Sequence, residues 1–372
     1  MTMPSRRRQV GGRNGRKAVG TLFTLAVAVA VTACGTTSAT TANQISESDG
    51  SSSHTQSDAS VVNDAAKHVS GNITLYTSEP VEDANLYVNA FEKAYPNIHV
   101  DVYSSGTTQV MAKLMAEEKA GNVKADVLLL ADAPTFEQLK DEGVLLSYKS
   151  PEASKIPSAF VDPDYDFVGT KALSTGIVYN TKLVQSPPTD WRSLLSSAAK
   201  GKVIMPSPDF SGAAAYFAGI MSRTPGFGWN YFQSLKHNGI VIGSGNGSVL
   251  TAVQSGQDAY GIIVDYMAVQ AAAKGAPVKF VYPVSGLPVI TEPVGILKST
   301  QNKAAAEAFE DFILSQKGQE VGVQMGYVPL REGVKPPAGM KLSSQYKVLS
   351  ANAKTLADNR NEDIKKFDEV MK

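Results

Sequence analysis

From residue 71 onward, short strand-like runs alternate with helix-like segments, and this alternation constrains the fold more than any other feature. Strand-like runs at residues 73–76, 98–103 and 125–130 are each followed by a segment whose apolar residues recur at helical spacing. Three consecutive strand–helix units favour a parallel sheet that is covered by helices on both faces. We therefore predict an α/β fold for the body of the chain.

The turns after these three strands are short and polar. In parallel sheets, ligands bind beyond the carboxyl ends of the strands, where such turns lead into helices. The turns therefore predict a binding site. Its candidate residues are Thr77, Ser78, Glu79, Ser105, Gly106, Thr107 and Asp132.

The length of the chain extends this expectation to two bodies. A chain of 372 residues is too long for one ordinary core and favours about two domains. Further strand-like runs lie at residues 170–179, 202–205 and 278–282, and helical patterns at residues 302–315 and 344–371 complete the chain.

Three motifs in the second half of the chain carry chemistry, each with a plainer reading beside it. Ser211-Gly212-Ala213 would place a hydroxyl and bare backbone N–H groups at a helix start, which suits an anion; the alternative is a simple N-cap. Asn246 stands in a glycine-rich stretch that faces a ligand or merely turns the chain. Asp265-Tyr266 follows an apolar strand and could donate a hydrogen bond, ligate a hard metal, or cap and pack a helix.

Catalytic and nucleic-acid functions are disfavoured by what the sequence lacks. It contains no nucleophile elbow, no H-E-x-x-H motif, a single cysteine and four scattered histidines, so we expect neither an enzyme nor a resident cofactor. Six basic residues precede position 20, and the remaining chain is mildly acidic. An acidic body argues against a general nucleic-acid binder.

The N-terminus reads as a targeting segment. Residues 1–33 join a basic start to an apolar run, and Val31-Thr32-Ala33 precedes Cys34 as in a bacterial lipobox. A buried lone cysteine is the alternative, but Cys34 lies where processing would occur. Residues 34–70 then form a polar tether. We expect an extracytoplasmic protein that a lipid on Cys34 anchors to the cell membrane.

Several stretches of the body match a known pattern. They are Tyr76-Thr77-Ser78-Glu79, Ala131-Asp132-Ala133, the segment from Pro208 to Tyr216, the segment from Glu292 to Lys298, and Ser315-Gln316-Lys317-Gly318-Gln319. Together these resemble the solute-binding proteins of bacterial ABC importers. More narrowly, they resemble the ferric-iron- and 2-aminoethylphosphonate-binding branch of the type II periplasmic-binding-protein fold, over about residues 71–335.

The resemblance implies two α/β lobes with a ligand cleft between them. Residues 71–175 would begin the first lobe, residues 176–288 would form the second, and residues 289–372 would return to the first with the C-terminal helices. Two crossing strands, near residues 174–179 and 288–294, would join the lobes and act as a hinge. The resemblance also implies a monomer that delivers its ligand to an ABC permease and its ATPase subunits. An enzyme on the same fold and a surface adhesin are the minor alternatives.

The ligand that the resemblance implies is a ferric ion or its complex, carried as cargo. Tyr266 resembles one of the two adjacent tyrosines that hold iron in the family, but Met267 replaces the other, and a thioether suits Fe(III) poorly. The alternative is 2-aminoethylphosphonate or another small organic anion. The candidate ligand-binding residues are Thr77, Ser78, Glu79, Ser105, Gly106, Thr107, Asp132, Thr175, Ser211, Gly212, Ala213, Asn246, Asp265, Tyr266 and Glu292. Ser105, Thr107, Ser211 and the Gly212 and Ala213 amides would hold the anion, and Asp132, Asp265 or Glu292 an ammonium group.

Overall fold

A computed structural model describes residues 68–371 of the chain. The predicted signal peptide, Cys34 and nearly all of the predicted tether lie outside these residues. Among the described helices, none combines the length and apolar character that a membrane crossing requires.

The first lobe is built from the three predicted strand–helix units. They are β1 (Gly71–Thr77), α1 (Val81–Ala94), β2 (Ile98–Ser104), α2 (Thr107–Ala120), β3 (Val127–Leu129) and α3 (Ala133–Asp141), followed by the short strand β4 (Leu145–Leu146). Strands β2 and β3 both pair in parallel with β1, as predicted. Helices cover both faces of this sheet, because Phe91 of α1 is buried on one side while Leu114 of α2 and Phe136 of α3 are buried on the other.

The second lobe repeats the strand–helix pattern after a long crossing strand, β5 (Val168–Asn180). Its elements are β6 (Val203–Pro206), α4 (Gly212–Arg223), α5 (Gly228–His237), β7 (Val241–Gly243), α6 (Asn246–Ser255), β8 (Tyr260–Val264), α7 (Asp265–Ala273) and β9 (Val278–Val281). Trp191, Phe217 and Phe232 centre the core of this lobe.

Two strands connect the lobes, which confirms the predicted fold class. The first is β5, whose residues 168–174 pair with strands of the first lobe and whose residues 175–180 pair with β8 and β9 of the second. The second is β10 (Leu287–Leu297), which returns the chain to the first lobe beside β3. The main sheet therefore runs in the order β2-β1-β3-β10-β5-β8-β6-β7.

The chain then crosses a third time, which the sequence did not predict. Helices α8 (Lys303–Leu314) and α9 (Gln316–Gln324) and strand β11 (Val328–Pro329) complete the first lobe. Strand β12 (Val348–Leu349) then pairs with the start of β10, and helix α10 (Ala353–Met371) follows. The predicted helix over residues 344–371 begins only at Ala353, because the Asn352 side chain accepts a hydrogen bond from the Thr355 amide and caps the helix there. The sequence placed residues 289–372 with the first lobe, whereas α10 packs on helices of both lobes.

The packing of α9 predicts a sharp difference between two glycines. A Cβ atom at Gly318 would lie 2.0 Å from the carbonyl oxygen of Phe312, whereas a Cβ at Gly247 would meet no atom within 4 Å. We expect Gly318→Ala to lower the free energy of unfolding by about 3 kcal/mol. Gly247→Ala, within α6, should leave it unchanged or raise it by about 0.5–1 kcal/mol. Urea denaturation measures both values, and equal midpoints for the two variants would contradict the packing described.

Candidate functional site

A cavity of about 390 Å³ lies between the lobes, and the polar turns line it. The first lobe contributes the turns after β1 and β2, and the second lobe contributes the starts of α4, α6 and α7. Of the fifteen predicted ligand-binding residues, the following line the cavity: Ser78, Glu79, Ser105, Gly106, Thr107, Ser211, Gly212, Ala213, Asn246, Tyr266 and Glu292. The expectation that strand-end turns from both lobes converge on one cleft therefore agrees with the geometry.

One end of the cavity is rich in hydroxyl and backbone N–H groups. Helices α1, α2, α4 and α6 all begin at its wall, so their partial positive ends face the enclosed space. Within residues 68–371, the buried hydroxyl oxygens of Ser78 and Thr107 have no hydrogen-bond partner. Hydroxyls and free amides at helix N-termini suit an anion. We call this end the anion pole, defined by Ser78, Thr107 and Ser211.

The Ser211 hydroxyl is fixed in place from two sides. Its oxygen accepts a hydrogen bond from the Ala214 amide at 3.3 Å, which caps α4, and another from the Asn246 side-chain amide at 3.2 Å. The Asn246 side-chain oxygen accepts in turn from the Val264 amide at 3.3 Å. The N-cap reading of Ser211 is thus correct, and the same residue also lines the cavity. Asn246 lines it too and links α4 to β8 and α6.

A buried cluster of charges also borders the cavity, through Glu79 and Glu292. Lys171 of β5 is 1% exposed and pairs with the carboxylates of Glu79 and Glu292, the latter at 3.3 Å. Its ammonium also lies 4.7 Å from the ring centre of Tyr327 and 5.2 Å from that of Tyr87. One lysine faces two carboxylates, so the cluster has an acidic excess. We call it the carboxylate pole, defined by Glu79, Glu292 and Lys171.

Burial sets the protonation of the carboxylate pole. Burial raises the pKa of Glu292 to about 8 although Lys171 opposes this, and burial also raises the pKa of Glu79. The two carboxylates raise the pKa of Lys171 against the effect of its own burial, so the lysine stays charged. Burial therefore favours the protonated form of Glu292 near neutral pH, and a second cation beside it could displace that proton.

Tyr266 meets a second tyrosine that the sequence did not single out. The rings of Tyr266 and Tyr327 lie 4.3 Å apart, and the Tyr327 hydroxyl donates to Asp83 at 3.0 Å. Tyr327 lines the cavity because β11, which follows it directly, pairs with β5. Burial raises the pKa of Tyr266 well above its ordinary value. The phenolate that a ferric ion would bind is therefore costly to form here.

Four predicted residues do not line the cavity, and the side chains of three of them have partners elsewhere. Thr77 donates to the Leu129 carbonyl, and Thr175 lies in β5 opposite Val264. Asp132 caps α3 through the Thr135 amide and pairs with Arg360 of α10. Asp265 is fully buried and accepts from the Ser174 and Tyr266 amides. Of the acidic residues expected to face an ammonium group, Glu292 alone lines the cavity.

A cluster of potential metal ligands lies elsewhere. Among the described histidine, cysteine and acidic residues, the group close enough to share an ion is Asp162, Asp164 and Asp166, none of which lines the cavity. The Lys140 ammonium already contacts Asp162 and Asp164 at 2.7 Å. This loop therefore reads as an ion-paired turn.

The fold and the cleft together define a class, that of solute-binding proteins of the ABC-transporter type. The chain belongs to the bacterial extracellular solute-binding protein family, whose profile matches residues 122–359. The family resemblance inferred from the sequence is thereby confirmed.

Two relatives are similar to the chain in sequence. The chain is 26% identical over 230 residues to a probable ABC transporter periplasmic-binding protein, y4fP, of Sinorhizobium fredii; the match covers 57% of this chain and 62% of that relative. It is 24% identical over 283 residues to a putative 2-aminoethylphosphonate-binding periplasmic protein of Salmonella typhimurium, covering 71% of this chain and 80% of the relative.

Solved structures share the fold. The periplasmic binding protein AfuA from Actinobacillus pleuropneumoniae, with exogenous fructose-6-phosphate bound, superposes with a TM-score of 0.75 at 23% identity, covering 81% of this chain and 98% of that one. Iron-bound HitA from Pseudomonas aeruginosa gives a TM-score of 0.71 at 20% identity, covering 80% and 99%. Binders of unlike ligands thus share this architecture, so the ligand must be inferred from the cavity.

Asp265 predicts a pH dependence of stability. Burial raises its pKa from 3.8 to about 7, so the folded state binds this proton more tightly than the unfolded state. The stabilisation is complete below about pH 4 and is lost as the pH rises through about 7, a change of up to about 4 kcal/mol. Asp265→Asn should remove this part of the slope in urea denaturation across that range. Glu79 and Glu292 contribute with the same sign in both proteins, so the difference isolates Asp265. Parallel pH profiles would contradict the assignment.

Proposed function

We propose that the protein captures a small organic anion that also carries an amine, of the 2-aminoethylphosphonate type, and delivers it to the permease of an ABC importer. The observation that carries this proposal is the polarity of the cavity. Helix starts and hydroxyls form the anion pole, and a carboxylate-rich cluster forms a second, acidic part of the cavity wall. A ligand with a negative group at one end and an ammonium at the other complements both.

The anion pole suits a phosphonate or phosphate group. Ser78 and Thr107 approach from the first lobe, and Ser211 with the following amides approaches from the second. An anion bound there would accept hydrogen bonds from both lobes and would therefore bridge them. Ligand binding would then favour the closed cleft, as the hinge mechanism requires.

The carboxylate pole suits a primary ammonium group. Lys171 balances one of the two buried carboxylates, and an ammonium from the ligand would balance the other. Because burial raises the pKa of Glu292 to about 8, such a ligand would expel its proton on binding. A ligand with a neutral group in place of the ammonium would not form this ion pair.

A ferric ion or its chelate is the second candidate, and Tyr266 beside Tyr327 is the observation in its favour. Phenolate and carboxylate oxygens are ligands that hard cations prefer. Against it, the Lys171 ammonium lies where Glu79 and Glu292 converge and so competes with a metal for both carboxylates. We therefore rank bare ferric ion below an amine-bearing anion.

The remaining parts of the proposal concern place and partners. Both relatives are named as periplasmic proteins, which supports an extracytoplasmic location. The one that is named as an ABC transporter protein supports a permease with ATPase subunits as partners. A lipid anchor at Cys34 and a monomeric state complete it. Capture and release, rather than turnover, is the role that the cleft supports, because its polar groups are arranged around a binding cavity with acidic and anion-binding ends.

Calorimetric titration of purified protein tests the ligand class directly. We expect 2-aminoethylphosphonate to bind at least about tenfold more tightly than ethylphosphonate, which has the same anion without the amine. Glu292→Gln should bring the ratio of the two affinities close to one. In the wild type only, the affinity for 2-aminoethylphosphonate should increase from about pH 6 to pH 8, and binding should release a proton.

Glu320→Gln is the matched control, because Glu320 accepts a hydrogen bond from Gln316 on the surface of α9, outside the cavity. It should leave the ratio of affinities unchanged. Ferric citrate and a hexose phosphate belong in the same panel. Binding of ferric citrate with no phosphonate binding would overturn the amine proposal in favour of iron, and a hexose phosphate that binds best would assign the carboxylate pole to sugar hydroxyls.

A further inference from the structure

Helix α10 belongs to the second lobe by its packing. Phe367 is 1% exposed and lies 5.5 Å, ring centre to ring centre, from Phe232 in the core of that lobe. Leu356 is buried in the same core, and Asp363 pairs with Arg223 of α4 at 2.5 Å. These residues form one face of the helix, since they recur at helical spacing.

Helix α10 also reaches the first lobe. The Gln138 side chain of α3 donates to the Ala357 carbonyl at 3.0 Å, and Lys354 pairs with Asp141 on the surface. Arg360 donates from one guanidinium nitrogen to both carboxylate oxygens of Asp132, at 3.1 and 3.0 Å. The side chains of Arg360 and Asp132 are 7% and 0% exposed, so this pair is buried where the lobes meet.

Asp132 lies next to the start of α4, although it does not line the cavity. Its carboxylate lies 2.7 Å from the position that a Cβ on Gly212 would take, and the Thr107 hydroxyl lies 2.6 Å from the same point. The start of α4 in the second lobe is thus in contact with the first lobe beside this carboxylate. A helix anchored in the second lobe therefore holds a first-lobe side chain next to the anion pole.

We propose that the Arg360–Asp132 pair is a latch between the lobes, so that α10 favours the closed cleft independently of which ligand is bound. Opening the hinge separates α3 from the second-lobe core in which α10 is anchored, and the pair must break. Removing one partner leaves the other charge buried and unpaired in the closed state, whereas an open cleft lets water solvate it. Arg360 is a positioning residue, since it does not line the cavity.

Distances between the lobes test the latch in the full chain without added ligand. Lys119→Cys in α2 and Lys236→Cys in α5 place fluorophores at exposed positions, one in each lobe, and Cys34→Ser in every sample removes the native thiol. Single-molecule energy transfer between the two fluorophores then reports the closed and open populations. We expect Arg360→Gln to lower the closed-to-open ratio at least about tenfold. Asp132→Asn should do the same, while keeping the α3 cap, because asparagine caps as well as aspartate.

The double variant Asp132→Asn with Arg360→Gln separates a latch from mere structural support. It removes both charges and leaves no unpaired ion, so the closed-to-open ratio should return to within about threefold of wild type. Arg331→Gln is the matched control: it breaks the Arg331–Glu152 pair inside the first lobe and should leave the ratio unchanged. A wild-type ratio in both single variants, or no recovery in the double variant, would overturn the proposal. The test requires no ligand, so its outcome is distinct from that of the proposed function.

Discussion

The buried ammonium of Lys171 is the interaction on which the rest of the cleft depends. It joins Glu79, at the end of β1, to Glu292 of β10 through a side chain of β5, so three strands meet at one charge. Burying one ammonium with two carboxyl groups is expensive, and removing one partner of a buried pair typically costs about 3–5 kcal/mol. The arrangement is therefore poorly explained by stability alone. It becomes intelligible if the second carboxylate is kept for a ligand.

The anion pole also contains buried polar groups that lack a partner. The Ser78 and Thr107 hydroxyls have no partner in the described part of the chain, and each such buried group costs about 1–3 kcal/mol. Functional sites often carry such costs because the groups are satisfied only in the bound state. The two parts of the cavity wall are thus incomplete in opposite senses, one short of an anion and the other of a cation.

The elements formed by residues close together in the sequence could be predicted, whereas the contacts between residues far apart in the sequence could not. Hydrophobic periodicity and polar turns identify the strand–helix units, so the helix starts at Thr107 and Gly212 were predicted as parts of a site. Lys171 and Tyr327 were missed because neither stands in a recognisable motif. Their positions depend on β5, which pairs with the residues on either side of Glu292 in β10 and with the strand that follows Tyr327. Pairing between residues more than a hundred positions apart leaves no local pattern.

The same limit explains why the sequence predicted a hinge but not the contacts through which the lobes meet. Gly106 and Gly212 were predicted only as ligand-binding residues, yet a Cβ at Gly106 would lie 2.2 Å from the Phe210 carbonyl oxygen across the cleft. Side chains at either position would hold the lobes apart. The small residues that expose backbone amides to an anion are therefore also those that let the lobes meet. Ligand recognition and closure rest on one set of turns, while Arg360 reinforces the closed state from outside the cavity.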